Sequence, residues 1–427
     1  MTAFQLSKKR AAALLAATSV FIFSLTGCES AKAVQEDLTQ GVNANPVKVQ
    51  DALSDAAIGN FQDFSGLLLK ESLADGGKNT LISPASVYLA LGMTANGADG
   101  DTLSAFEQVL GGSGLSLEEI NVFCRALSDR LMDVAGGTTL DIANSIWYDE
   151  GFQADGAFLQ KNADYFNADA FRSDFSNPET VDQINEWVYE KTNGLIPDII
   201  SKLDEQDVMA LINALYLNTA WQTEFNPDDN IKADFTKSDG STEECTFMSN
   251  NVRNEQVLSW QGAQGVLLPY DDGKLSYLAV LPPEGTTAEA FASLLSSEAI
   301  TGLMESAKET KALVQLPKHT MNFDIGLNDA LSRMGLDMAF DPDRAGFGKM
   351  GAADEKLFIG QVIHKTCIKV NEKGTEAAAA TGVIMRSTSA RIEDYTTLRF
   401  DRPFVFAVVD REIGVPLFLG VLNDPEE

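Results

Sequence analysis

Residues 372–385 read Glu372-Lys373-Gly374-Thr375-Glu376-Ala377-Ala378-Ala379-Ala380-Thr381-Gly382-Val383-Ile384-Met385. Four consecutive alanines suit a helix on propensity. Gly374 and Gly382 bracket them, however, and no apolar i,i+4 stripe is present to dock such a helix. Strand alternation gives the run a different meaning. Thr375, Ala377, Ala379 and Thr381 face one way, and Glu376, Ala378, Ala380 and Gly382 face the other. The first face carries only small side chains, so the segment can enter a crowded sheet without pushing its core apart. An alanine-rich surface loop is the plainer reading, and the run alone does not choose between the two.

Its surroundings do. Upstream lies His364-Lys365-Thr366-Cys367-Ile368-Lys369-Val370-Asn371. Downstream lie Phe400-Asp401-Arg402-Pro403-Phe404-Val405-Phe406 and Pro416-Leu417-Phe418-Leu419-Gly420. This ordered set resembles the serpin family: a central strand, a hinge, a reactive loop, then C-terminal strands. Three more stretches carry the likeness. Asn79 to Leu91 is similar to an early strand-to-helix junction. Asn213 to Trp221 is similar to the strand that in the family ends at a tryptophan. Leu316-Pro317-Lys318 with Leu327 to Phe340 is similar to a strand and the helix after it. The chain departs from the family at Asn218 and Thr219, where a lysine-glycine pair is usual. The likeness runs from about residue 55 to the end and implies an α+β fold of mixed helices and antiparallel sheets, with an exposed reactive-centre loop at about 372–398.

Independent patterns agree with such a body. Val181 to Glu190 reads as a helix with Ile184 and Trp187 on one face. Leu267-Leu268-Pro269-Tyr270 and Ser276 to Pro282 read as two strands joined by the turn Asp271-Asp272-Gly273. No Pro/Ser/Gly linker divides the chain, so residues 51–427 are expected to form one domain.

The N-terminus reads as an export signal. Lys8, Lys9 and Arg10 precede thirteen mostly apolar residues, 11–23, which are too few to span a bilayer comfortably. Leu25-Thr26-Gly27-Cys28 then resembles a bacterial lipoprotein box, with cleavage after residue 27 and a lipid anchor on Cys28. Two or more acyl chains hold a protein firmly to a membrane. Residues 28–50 are polar and are expected to be a solvated tether. The chain holds 62 acidic and 32 basic residues, a formal charge of −30. Removing residues 1–27 takes away Lys8, Lys9 and Arg10 and no acid, leaving −33. Such a charge disfavours nucleic acid as a partner.

Little supports catalysis. His319 and His364 are the only histidines, neither sits in a metal-ligand pattern, and no HExxH, GxSxG or P-loop occurs. No cofactor or metal is expected. His319, in a Pro-Lys-His-Thr stretch, reads as a surface or strand-edge residue. Cys367 alternates with Thr366 and Ile368 and reads as a buried small hydrophobe. A Cys124–Cys245 bridge stays open as a possibility.

The resemblance also implies roles. His364 is similar to the histidine beneath the point where the loop enters the sheet, beside Trp221. Ser83, Ser86 and Asn213 are similar to the region that parts under the central sheet; read by themselves Ser83 and Ser86 are each a cap or turn residue and Asn213 is a satisfied buried amide. The hinge is Gly374 to Thr381. Fourteen residues on from Gly374, the family's spacing gives Thr388 and Ser389 as the reactive bond. The loop is a few residues longer than usual, so Met385, Arg386 and Arg391 are alternatives. Thr388 suits elastase-like or subtilisin-like enzymes. The implied activity is a suicide trap for extracellular serine, or cysteine, proteases by a monomer. The alternative is a non-inhibitory surface binding or carrier protein of the same fold.

Overall fold

The computed structural model describes residues 35–38, 42–49, 51–73, 79–112, 114–203, 207, 209–352, 356–375 and 394–425. Cys28 and the leader before it, the hinge from Glu376 to Thr381, and Met385, Arg386, Thr388, Ser389 and Arg391 lie outside these residues.

Two large sheets and their helices form an α+β body, as expected. The C-terminal strands Phe404–Asp410 and Val415–Leu422 are buried at every position. They pair antiparallel with each other, and Phe404–Asp410 also pairs with Leu275–Leu281. Near-continuous apolar runs such as Phe-Val-Phe-Ala-Val-Val suit strands covered on both faces. Helix Asp55–Leu73 packs on Val415–Leu422. The expected hairpin is present as Ala263–Pro269 and Leu275–Leu281, with Gly273 at φ +78° in its turn. Only glycine enters that backbone region freely. The expected helix over 181–190 is Glu179–Lys191, with Ile184 buried and Trp187 half-buried.

The second sheet positions the site. Its strand order is Glu36–Asp37, Asp169–Ser173, Thr139–Asp149, Met209–Ala220, Gly374–Thr375, Ile363–Asn371 and His319–Gly326. Met209–Ala220 pairs with Thr139–Asp149 on one side, over Thr139↔Asn218 to Tyr148↔Met209. Ile363–Asn371 pairs with His319–Gly326 on the other. Helix Pro84–Ala95 packs beneath Met209–Ala220. Ser83 caps that helix by accepting the Ser86 amide, and Pro84 opens it, a position where its missing N–H costs nothing. The helix is apolar nearly all round and buried at all but one position, the mark of a core helix.

Two expectations are corrected here. Within the expected tether 28–50, the described residues 35–38 and 42–49 do not merely trail in solvent. Glu36–Asp37 adds a strand to the edge at Asp169–Ser173, and the Leu38 amide donates to Ala170 O at 2.8 Å. Asn45 donates through its backbone and side-chain nitrogens to Asp164, and Gln160 donates to Asn43 O. These contacts use backbone and amide groups, so no apolar periodicity announces them. Cys367 is half-buried rather than buried. In Ile363–Asn371 the even-numbered residues His364, Thr366, Ile368 and Val370 are buried, and Cys367 stands on the opposite face with Lys365 and Lys369. The period of two is present, but its phase puts the cysteine outside. Cys124 is a free buried thiol, so no Cys124–Cys245 bridge forms.

Candidate functional site

The quoted segment begins as a strand wedged between two others. Gly374 and Thr375 pair with Ala220 and Thr219 on one side, and with Asn371 and Val370 on the other. Both pairings are antiparallel, so the flanking strands run parallel to each other. Gly374 has φ +154°, and a Cβ there would lie 2.0 Å from Thr219 O and 2.7 Å from Ala220 Cα. Only glycine fits so close to a neighbouring backbone. Thr375 turns its side chain inward, as the alternation predicts, and is 2% exposed.

Aromatic side chains and main-chain bonds hold this entry. Trp221 ends the strand Met209–Ala220 and stacks on Tyr270, with centroids 4.8 Å apart and planes at 6°. Its indole N–H donates to Asn371 O at 2.8 Å, and its amide donates to Lys373 O. The Phe225 amide donates to Glu372 O. The Glu372 carboxylate accepts from Asn230 at 2.5 Å and lies 3.3 Å from Lys318 Nζ. Burial raises the Glu372 carboxyl, but the bonds from Asn230 and its own amide, with the Lys318 charge, outweigh that and hold it below its ordinary value.

Neither histidine stands where the sequence suggests, and both are buried. His319 is no surface residue: it is 1% exposed, faces Phe406 and Tyr277, and Tyr277 in turn meets the Trp221 ring edge-on. His364 is not beside Trp221. It lies six residues along the strand from Val370, roughly 20 Å at strand spacing. There its Nε2 accepts the Ser83 amide at 2.9 Å. Burial lowers both imidazoles to about 4, so both are neutral at pH 7. Both histidines are on inward positions of neighbouring strands, and alternation alone cannot distinguish which lies under the entry.

From His364 a relay of polar side chains crosses beneath the sheet. Ser83 bonds His364 through its amide and the Ser86 amide through its hydroxyl. The Ser86 hydroxyl donates to Asn213 Oδ1. Asn213 Nδ2 donates to Asn144 Oδ1 at 2.5 Å, and Asn144 Nδ2 donates to Phe166 O at 2.9 Å. Ser83, Ser86 and Asn213 are therefore brought together with His364, and Trp221 stands apart at the head of the sheet. Sequence reasoning missed Asn144, Tyr270, Lys318 and Glu372. Of these only Glu372 had a local signal, its place two residues before Gly374.

The family model described as Serpin (serine protease inhibitor) matches residues 60–425. The chain belongs to the serpin family, whose members are generally protease inhibitors. It is 33% identical to mouse neuroserpin over 362 residues, 82% of this chain and 87% of that one. Among solved structures it is similar to the native state of the thermophilic serpin tengpin: TM-score 0.85, 36% identity, 91% of this chain and 99% of the other. Against tengpin's latent state the TM-score is 0.76. Human thyroxine-binding globulin, at 23% identity and TM-score 0.79, shares the fold.

Proposed function

We propose that this protein is a suicide inhibitor of extracellular serine proteases that traps them by inserting its loop between Met209–Ala220 and Ile363–Asn371. The observation that carries the reading is Gly374-Thr375, already paired with both strands and followed by a run of small residues. Continuing the two registers inward gives each later residue a place. Ala377 would arrive between Leu217 and Ile368, Ala379 between Leu215 and Thr366, and Thr381 between Asn213 and His364. The small face is thus the face that meets the core, and its last hydroxyl would reach the polar relay.

In this mechanism the protease serine oxygen adds to the carbonyl of Thr388. The nitrogen of Ser389 leaves with a proton, and an acyl-enzyme remains. The freed hinge then zips into the sheet and drags the enzyme along before water can cleave the ester. About fourteen inserted residues at ~3.3 Å each would form a new strand roughly 45 Å long. Insertion must outrun hydrolysis, so a charge or proline on the small face would slow it through desolvation or a lost ladder bond. The native state is then held kinetically. Elastase-like or subtilisin-like enzymes are the preferred targets at Thr388. We place the inhibitor outside the cytoplasm, held to a membrane by lipid on Cys28.

Mixing the protein with a panel of serine proteases should give an SDS-resistant complex with at least one, releasing a peptide that starts at Ser389. Thr375→Arg should be cut without trapping. A peptide starting at Ser387 or Ile392 would move the reactive bond to Arg386 or Arg391 and the targets to trypsin-like enzymes. Cleavage with no complex across the panel would favour a carrier, the role the name thyroxine-binding globulin gives that relative.

A further inference from the structure

The mechanism gives no task to Thr219 or to Tyr270. Around them the head of the sheet is built from hydroxyl groups. Thr138 Oγ1 donates to Asp271 Oδ1 at 3.1 Å, and Asp271 Oδ2 accepts the Gly137 amide at 3.1 Å. A threonine has one hydroxyl proton. Thr138 has given its proton to Asp271, so at 2.5 Å it accepts from Thr219. The Thr219 proton is therefore also used. Thr375, in register with Thr219, meets a different group: the Tyr270 hydroxyl, 2.5 Å away and fully buried. Tyr270 cannot follow a departing partner. Its ring is clamped against Trp221, its backbone is bridged to Trp221, and its amide is bonded to Leu275 O. Among the described residues no second group bonds the Tyr270 hydroxyl.

We propose that Tyr270 is a positioning residue for the hinge: its buried hydroxyl seats Thr375 and holds the first two hinge residues in the sheet before a protease arrives. The role rests on the inhibitor reading. If Thr375 withdraws, the tyrosine hydroxyl is left buried and unpaired, a costly state. A site built to bond a hydroxyl also rejects a side chain without one. Thr375, two residues before the run of four alanines, thus carries a hydroxyl for a chemical reason. A hinge already seated begins insertion two residues deep and gains time against hydrolysis of the acyl-enzyme.

The test compares Tyr270→Phe, Thr375→Val and the double variant. Tyr270→Phe keeps the ring and its stack on Trp221. Two quantities are read: inhibitor consumed per protease inactivated, and Trp221 emission of the intact protein without protease, obtained by subtracting a Trp221→Phe background. Each single variant should raise consumption about 5- to 10-fold and shift the emission, since each strands one buried hydroxyl. The double variant should return both readings close to wild type, because replacing both partners by apolar groups of like shape is nearly neutral. Unchanged readings in the single variants, or a summed defect in the double, would overturn the seat. An emission shift restored in the double, with no protease trapped even by wild type, would keep the seat and reject the inhibitor reading instead.

Discussion

Acidification should weaken this fold through its buried histidines, and His364 allows the effect to be isolated. In the unfolded chain an imidazole titrates near 6.5; in the fold, burial lowers His364 to about 4. Above pH 6.5 both states are neutral and stability is full. As pH falls from 6.5 towards 4 the unfolded chain takes up a proton that the folded chain refuses, so stability drops. Below about 4 both hold the proton and the loss levels off. Each pH unit inside that window costs up to ~1.4 kcal/mol per histidine. Between pH 6.5 and 5, above the titration of most carboxylates, His364 accounts for ~2 kcal/mol and His319, also lowered to about 4, for a similar amount. His364→Gln retains an acceptor for the Ser83 amide and carries no titrating group. The midpoint of urea unfolding, followed from pH 7.5 to 5, should fall about half as steeply in this variant as in wild type. An unchanged slope would refute the argument, because the proton would then be taken up somewhere other than His364.

Two more predictions concern Gly374 and Cys28. Gly374→Ala puts a Cβ 2.0 Å from Thr219 O, so the paired start of the loop should be expelled; hydrogen exchange at Thr375 should quicken by at least 10-fold, and an unchanged rate would show that the neighbouring strands give way. Cys28→Ala should abolish incorporation of radiolabelled fatty acid by cells making the full chain, and equal labelling would reject the lipid anchor.

Much of the body was legible because local chemistry and packing agree. Asp271-Asp272-Gly273 supplies the turn that the flanking apolar strands need. The small face of the hinge points inward at Thr375 as its alternation requires. What stayed hidden depends on distance or phase. Tyr270 reaches Thr375 from 105 residues away, and nothing near either residue declares the meeting. Ile363–Asn371 has polar and apolar residues on both parities, so its phase could not be read and Cys367 was misplaced with it, whereas His364 faces inward as expected and was misplaced only along the strand. The N-terminal strand escaped because two acidic residues, Glu36 and Asp37, form it. A ladder asks only for backbone groups, and this one takes its side-chain support from the Arg172 contact with Glu36.

That short strand bears on self-association. The seven-stranded sheet has two rims, and a rim of unpaired amides and carbonyls will accept a strand from any neighbour. Glu36–Asp37 covers the rim at Asp169–Ser173 with two exposed acidic residues, Glu36 being paired with Arg172. The opposite rim, His319–Gly326, exposes Asn322 and Asp324, the latter paired with Lys365. Charge at both margins discourages stray strand addition from a neighbouring molecule.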